Sequence, residues 1–152
     1  MSLTEIIQIL TGFIGSLGFA VLFNIRGKRL IAAAFGGFLS WTLFVFLNLF
    51  IHNDPVNYFL VALAVSIYAE VMARVMKTPT TTFITTALIP LIPGGSLYYT
   101  MAYAFHSNID RFLEKAIYTL QLASSLALGI IIATTLSRIF FNFLNKSKNG
   151  KC

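Results

Sequence analysis

Two features of this sequence have residue types and spacing that could do chemistry. The first is Glu70, an acidic side chain inside an apolar block, with Arg74 four positions later. Ionisable groups are costly in hydrocarbon and often mark a proton or solute path. A Glu and an Arg four apart near a helix end also have a plainer use, as an ion pair whose stems reach toward the interface. The residues leave both uses open, a coupling or gating carboxylate and a structural pair.

The second feature is the stretch from Thr78 to Tyr99, TPTTTFITTALIPLIPGGSLYY. It is apolar enough for a membrane, yet Pro90 and Pro93 each lack a backbone N–H and crowd the carbonyl one turn earlier. Gly94 and Gly95 tolerate dihedrals that other residues avoid. A helix is therefore expected to break at Pro90–Gly95. Backbone groups released at membrane depth persist only when buried in protein or facing a wet cavity, so the break points to a solute path. A proline kink whose free groups are taken up by neighbouring hydroxyls is the alternative. The candidate path residues are Thr81, Pro90, Pro93, Gly94, Gly95, Tyr98 and Tyr99, and the candidate coupling or gate residues are Glu70 and Arg74.

The elements that must position these residues are set by composition. The chain has 152 residues, 57% of them hydrophobic and 11% charged, with a mean hydropathy of +0.81. Soluble domains carry about 25% charged residues. The expected fold class is an all-α integral membrane protein, a bundle of about five transmembrane helices with the fourth broken. Residues 1–152 form one transmembrane domain, with spans at 3–23, 30–51, 58–76, 80–105 and 116–137. A helix rising about 1.5 Å per residue needs roughly 20 residues to cross the hydrocarbon core. The fourth segment is longer than that, so it must tilt, bend or lose its helix. The first apolar run lacks a preceding Lys or Arg and is read as a retained span rather than a cleaved leader. The polar segment HSNIDRFLEK is expected to lie on the surface as a short turn of helix, and the basic tail, 138–152, to end in disorder.

Small residues recur every four positions in three spans: Gly12, Ser16 and Ala20; Ala32, Gly36 and Ser40; Ser125, Gly129, Ala133 and Ser137. Such rows let helices pack closely in lipid. Trp41, in mid-span, reads as a packing residue. Nine of the eleven Lys and Arg residues fall on one side of a five-span layout, and only Arg111 and Lys115 fall on the other. The excess of basic residues in cytoplasmic loops then puts the N-terminus outside and the C-terminus in the cytoplasm of a multi-pass cell-membrane protein.

The same distribution argues against nucleic acid as the reason for a net charge of +6, because the basic residues sit in short loops and the tail. The single cysteine, Cys152, offers no disulfide or cysteine metal cluster. His52 and His106 lie in expected loops, and the sequence carries no HExxH, GxSxG or phosphate-binding glycine motif. No enzyme activity, cofactor or metal is expected. The expected partners are the lipid bilayer and a small-molecule solute, and self-association stays open.

Taken as one string, EVMARVMKTPTTTFITTALIPLIPGG, residues 70–95 resemble the threonine/serine exporter family, and more closely the small membrane subunit of its split, two-component members. The resemblance rests on Glu70, Ala73, Arg74, Lys77, Pro79, Thr81, Phe83, Ile89, Pro90, Leu91, Pro93, Gly94 and Tyr98, with GFAVLFNIRGKRL as a second likeness. Thr86 departs from the pattern, since many relatives carry a further proline there. The resemblance implies a proton-driven exporter of threonine and serine or of succinate-like dicarboxylates. It also implies a second membrane subunit that carries the other half. The competing readings are a non-transporting structural or assembly protein and a channel subunit.

Overall fold

A computed structural model describes residues 3–106 and 108–149 of the chain, and these residues are helical apart from short links. Six α-helices follow in order: α1 (Leu3–Leu22), α2 (Lys28–Asn48), α3 (Asp54–Val75), α4 (Thr81–Leu88), α5 (Gly94–Phe105) and α6 (Ile109–Asn149), with a 3-10 turn (Ile89–Leu91) between α4 and α5. Four of them, α1, α2, α3 and α6, are long and apolar enough to cross a membrane. The break expected at Pro90–Gly95 falls between α4 and α5. The fourth expected span is two helices, because the prolines remove the hydrogen bonds that would join them. The polar segment expected to lie on the surface is instead partly absorbed into α6, which starts at Ile109. The basic segment does not part from the helix after Ser137 either, since α6 runs on to Asn149. Residues 150–152, where disorder was expected, lie outside the described residues.

Local signals explain the helix ends. Asn24 and Lys77 adopt left-handed φ angles of 57° and 49° just past α1 and α3. Behind them Ile25 N–H donates to the Ala20 carbonyl at 3.0 Å and Thr78 N–H to the Ala73 carbonyl at 2.9 Å. This is the left-handed closure that satisfies a helix's last carbonyls. Gly27, at φ 64°, starts α2, a conformation glycine adopts at little cost. The Asn53 side chain accepts from Val56 N–H at 3.4 Å, and Asp54 sits in the positive first turn of α3.

The small-residue rows are the packing faces. Ser16 and Ala20, Ala32, Gly36 and Ser40, and Gly129, Ala133 and Ser137 are all buried. A Cβ built on Gly129 would lie 2.7 Å from the Phe59 carbonyl oxygen and 2.9 Å from Ala62 Cβ, so α6 meets α3 almost backbone to backbone. These two helices run parallel. The Tyr118 hydroxyl donates to Asp54 near the start of α3, and the Arg74 guanidinium lies 3.8 Å from the centre of the Phe141 ring near its end.

The break moves the chain from one groove to another. Phe83, Ala87 and Leu91, on α4 and the 3-10 turn, pack with Ala69, Ala73, Val61 and Val65 of α3, and α4 also lies along α2. After Pro93 the chain leaves that groove and α5 packs on α6. The Thr100 and Thr119 hydroxyls meet there at 3.2 Å in an antiparallel hairpin. Since Tyr118 is level with the first residue of α3, residues 109–117 extend past that point by roughly 13 Å at about 1.5 Å per residue.

Candidate functional site

The proline that ends α4 stands beside a cavity. Residues Ile89 and Pro90 of the 3-10 turn face α1, and between them and Trp41 of α2 lies a hollow of about 290 Å³. From α1 it is walled by Gln8, Thr11, Gly12, Gly15 and Ser16. Its size is at the low end of small-ligand pockets, which run from about 300 to 1,000 Å³. Gly12 packs closely on Trp41, where an added Cβ would sit 3.4 Å from Trp41 Cβ. Gly15 by contrast has nothing within 4 Å of such a position.

The polar groups at this cavity are partly unanswered. Thr11 Oγ1 donates back to its own helix, at 2.9 Å from the Ile7 carbonyl or 3.0 Å from that of Gln8. Ser16 is fully buried, and neither its Oγ nor the Trp41 Nε1 has a hydrogen-bond partner. Buried polar atoms are paired in the great majority of cases, and an unpaired one costs about 1–3 kcal/mol. Neither atom has appreciable accessible surface, and the Ser16 hydroxyl lies where a Cβ on Gly37 would sit, so it belongs to the close contact of α1 with α2 rather than to the open space.

The hollow has neighbours along α1. One of about 320 Å³ shares Gln8 as a wall and adds Glu5 and Asn48 toward the start of α1. Another, of about 240 Å³, lies at the opposite end, between Phe23, Ile25 and the hydroxyl-bearing Thr81, Thr82 and Thr85. Space thus lies along α1 at three levels: against α2 near its start, against Trp41 and the 3-10 turn in the middle, and against α4 at its end. The roomier hollow between α3 and α6, about 560 Å³, is walled by Ile67, Val71, Leu136, Ser137, Ile139 and two phenylalanines. That lining suits an acyl chain, not a polar solute.

The structure separates the residues singled out in the sequence. Pro90 lies on the central cavity and Thr81 on the hollow at the Phe23 end. Pro93, Gly94, Gly95, Tyr98 and Tyr99 are not on the central cavity's wall. Tyr98 and Tyr99 pack edge to face at 5.5 Å between ring centres on the exposed side of α5, 69% and 56% accessible. Among the described residues Gly27 is the glycine with positive φ, while Gly94 and Gly95 are helical residues with open space around them. The threonine hydroxyls of Thr85 and Thr86 bond back to carbonyls of their own helix.

Glu70 is buried, 6% accessible, with a carboxylate oxygen 3.4 Å from the Arg74 guanidinium. The same guanidinium stacks on Phe141, so the pair ties α3 to α6. It stands apart from the central cavity, whose lining includes neither residue. Gln8, Thr11, Ser16 and Trp41 escaped notice as a group. They come from two helices, and their only shared sequence signal is the presence of hydrogen-bonding side chains inside apolar spans.

Fold and site together define a polytopic membrane protein with a small cavity at a helix break. The profile of the family described as Threonine/Serine exporter, ThrE, matches residues 8–136, and the chain belongs to that family. It is therefore an exporter-type transporter protein located in a membrane, and its family is one of transporters, not enzymes. No curated protein and no solved structure matches the chain.

Proposed function

We propose that this chain is one subunit of a secondary-active exporter that moves small polar metabolites out across the cytoplasmic membrane. The candidate substrates are threonine and serine or a succinate-like dicarboxylate, and the proton gradient is the driving force. The carrying observation is the cavity at Pro90, where the helix is interrupted between α4 and α5 and the Gln8 and Thr11 side chains of α1 stand on the facing wall. Interrupted helices beside polar cavities are the common substrate sites of secondary transporters. The threonine hollow at the Phe23 end and the Glu5–Asn48 hollow at the other supply entry and exit.

Orientation follows from charge. Arg26, Lys28 and Arg29 lie in or just beyond the α1–α2 link, Arg74 and Lys77 lie at the end of α3, and Arg29 donates to the Met76 carbonyl across that end at 3.5 Å. That basic end is the cytoplasmic one, which puts the N-terminus outside. Glu70, buried at the same end, is the candidate proton carrier or gate, with Arg74 holding its carboxylate when charged. A second membrane subunit covers the exposed apolar faces and supplies the rest of the path. Tyr98, Tyr99 and the Gly94–Gly95 pair lie exposed where α5 begins, with Pro93 half-buried beside them, and are available to it.

Efflux from cells expressing this chain, a candidate second subunit, or both tests the reading. Saturable export of threonine, serine or succinate is expected with both chains together and not with either alone. Glu70→Gln is expected to reduce gradient-driven export about tenfold or more, as loss of a general acid–base group does. Unchanged export in that variant would remove the coupling role, and no export by the pair would remove the transporter reading. Conductance without saturation would point to a channel.

A further inference from the structure

We infer that the groove between α3 and α6 holds one chain of an anionic phospholipid, with the lipid's phosphate on Arg74. The inference goes beyond the transporter reading and needs only the membrane location. The groove, about 560 Å³, has apolar walls except for Ser137. Ile67 on its wall stands seven residues before Arg74 on α3. The groove therefore runs roughly 10 Å from the guanidinium toward the bilayer middle, at about 1.5 Å per residue. The hydrocarbon of one leaflet is about 15 Å deep, half of a core of about 30 Å. Length and chemistry fit the part of an acyl chain nearest its headgroup.

A cation closes the headgroup end. Phe141 is both a wall of the groove and the ring on which the Arg74 guanidinium stacks, 3.8 Å from its centre. Glu70 takes one guanidinium nitrogen at 3.4 Å, and the Arg74 side chain is still 40% exposed. A guanidinium has five N–H donors, so the contact with Glu70 leaves several for a phosphodiester. The surrounding charge has the sign that an anionic lipid needs. Arg26, Lys28, Arg29, Lys77 and Arg138 lie at this end of the bundle, whereas Glu5, Asp54, Asp110 and Glu114 lie at the opposite end. A protein helix in the groove fits less well, because it would cover the exposed guanidinium and have to bring an acid of its own. A phospholipid brings acceptor and apolar chain in one molecule.

Trp41→Phe removes the single native tryptophan, and Phe140→Trp then places a reporter on the groove wall. The full chain with both changes is reconstituted in phosphatidylcholine vesicles containing rising fractions of chain-brominated phosphatidylglycerol or chain-brominated phosphatidylcholine, whose bromines quench an indole they touch. Leu22→Trp in the same background is the comparison, since Leu22 is 77% exposed at the basic end but is not on the groove wall. At Phe140→Trp the anionic lipid is expected to bind about fivefold or more tightly than the neutral one. At Leu22→Trp the two lipids are expected to agree within about twofold. Arg74→Gln is expected to bring the ratio at Phe140→Trp within about twofold, and Arg74→Lys, which keeps the charge without the fork, to retain part of the preference. Should Arg74→Gln fail to fold, Arg74→Gln combined with Glu70→Gln takes its place with the same expectation, because it leaves no buried charge unanswered. Equal ratios at the two reporters would reduce the effect to general attraction by the basic surface. Quenching by neither lipid at Phe140→Trp would mean that protein, a second copy of the chain or another subunit, fills the groove. Either result overturns the lipid site, as does a preference that survives in Arg74→Gln.

Discussion

On one side of the molecule α3 packs against α6 with Gly129 nearly touching the Phe59 carbonyl, and Tyr118 and Arg74 fasten the two ends of the contact. On the other side α1 faces α4 and the 3-10 turn across an open seam, where a Cβ added to Gly15 would meet nothing. Both contacts use small residues, yet with opposite results. Small residues let backbones close up where the partner is a continuous helix, as α3 is for α6. Where the partner is broken by proline, no complementary ridge fills the groove, and the space remains as a cavity. The tight side is the frame and the loose side is the working face.

Glycine substitutions put that contrast under load. Gly129→Val forces methyl groups into the Phe59 carbonyl and Ala62, and is expected to destabilise the folded chain by about 1–3 kcal/mol or more. Thermal unfolding in detergent would show this as a clear drop in midpoint. Gly15→Ala has open space and a helical backbone, so the same assay should find it neutral or stabilising by up to about 1 kcal/mol. Equal losses for the two variants would erase the distinction between frame and working face. The smallest effect is expected for Gly95→Ala, within about 0.5 kcal/mol of the parent. Its Cβ would meet nothing in this chain. A larger loss there would mean that the break depends on glycine's freedom after all.

The position of the break was legible in the sequence because proline acts locally: Pro90 and Pro93 remove hydrogen bonds wherever the chain goes. The packing rows were legible for a similar reason, since a four-residue spacing of small side chains defines a helix face without knowledge of the partner. Ser16, Ser40 and Gly129 were found in this way. The cavity wall was not. Gln8 and Thr11 sit 33 and 30 positions before Trp41, and Pro90 is 49 positions beyond it, so only tertiary packing brings them together. The permissive dihedrals of the glycine pair go unused, because the proline at position 93 ends the turn and α5 begins on Gly94 in ordinary helical geometry.

The central claim is that the seam beside Pro90 holds a water-accessible space within the span, and labelling tests it most directly. Cys152 is the single cysteine, so a Cys152→Ser background gives a clean start. Gly15→Cys places a thiol in the cavity wall, and Ile14→Cys places one on the outer surface of α1, where the native side chain is 65% accessible to whatever surrounds the bundle. A small, membrane-impermeant methanethiosulfonate applied to intact membranes is expected to modify Gly15→Cys and spare Ile14→Cys, which faces lipid. If Gly15→Cys proves as inert as Ile14→Cys, the seam is dry and closed, and the account of this chain as half of a solute path is contradicted.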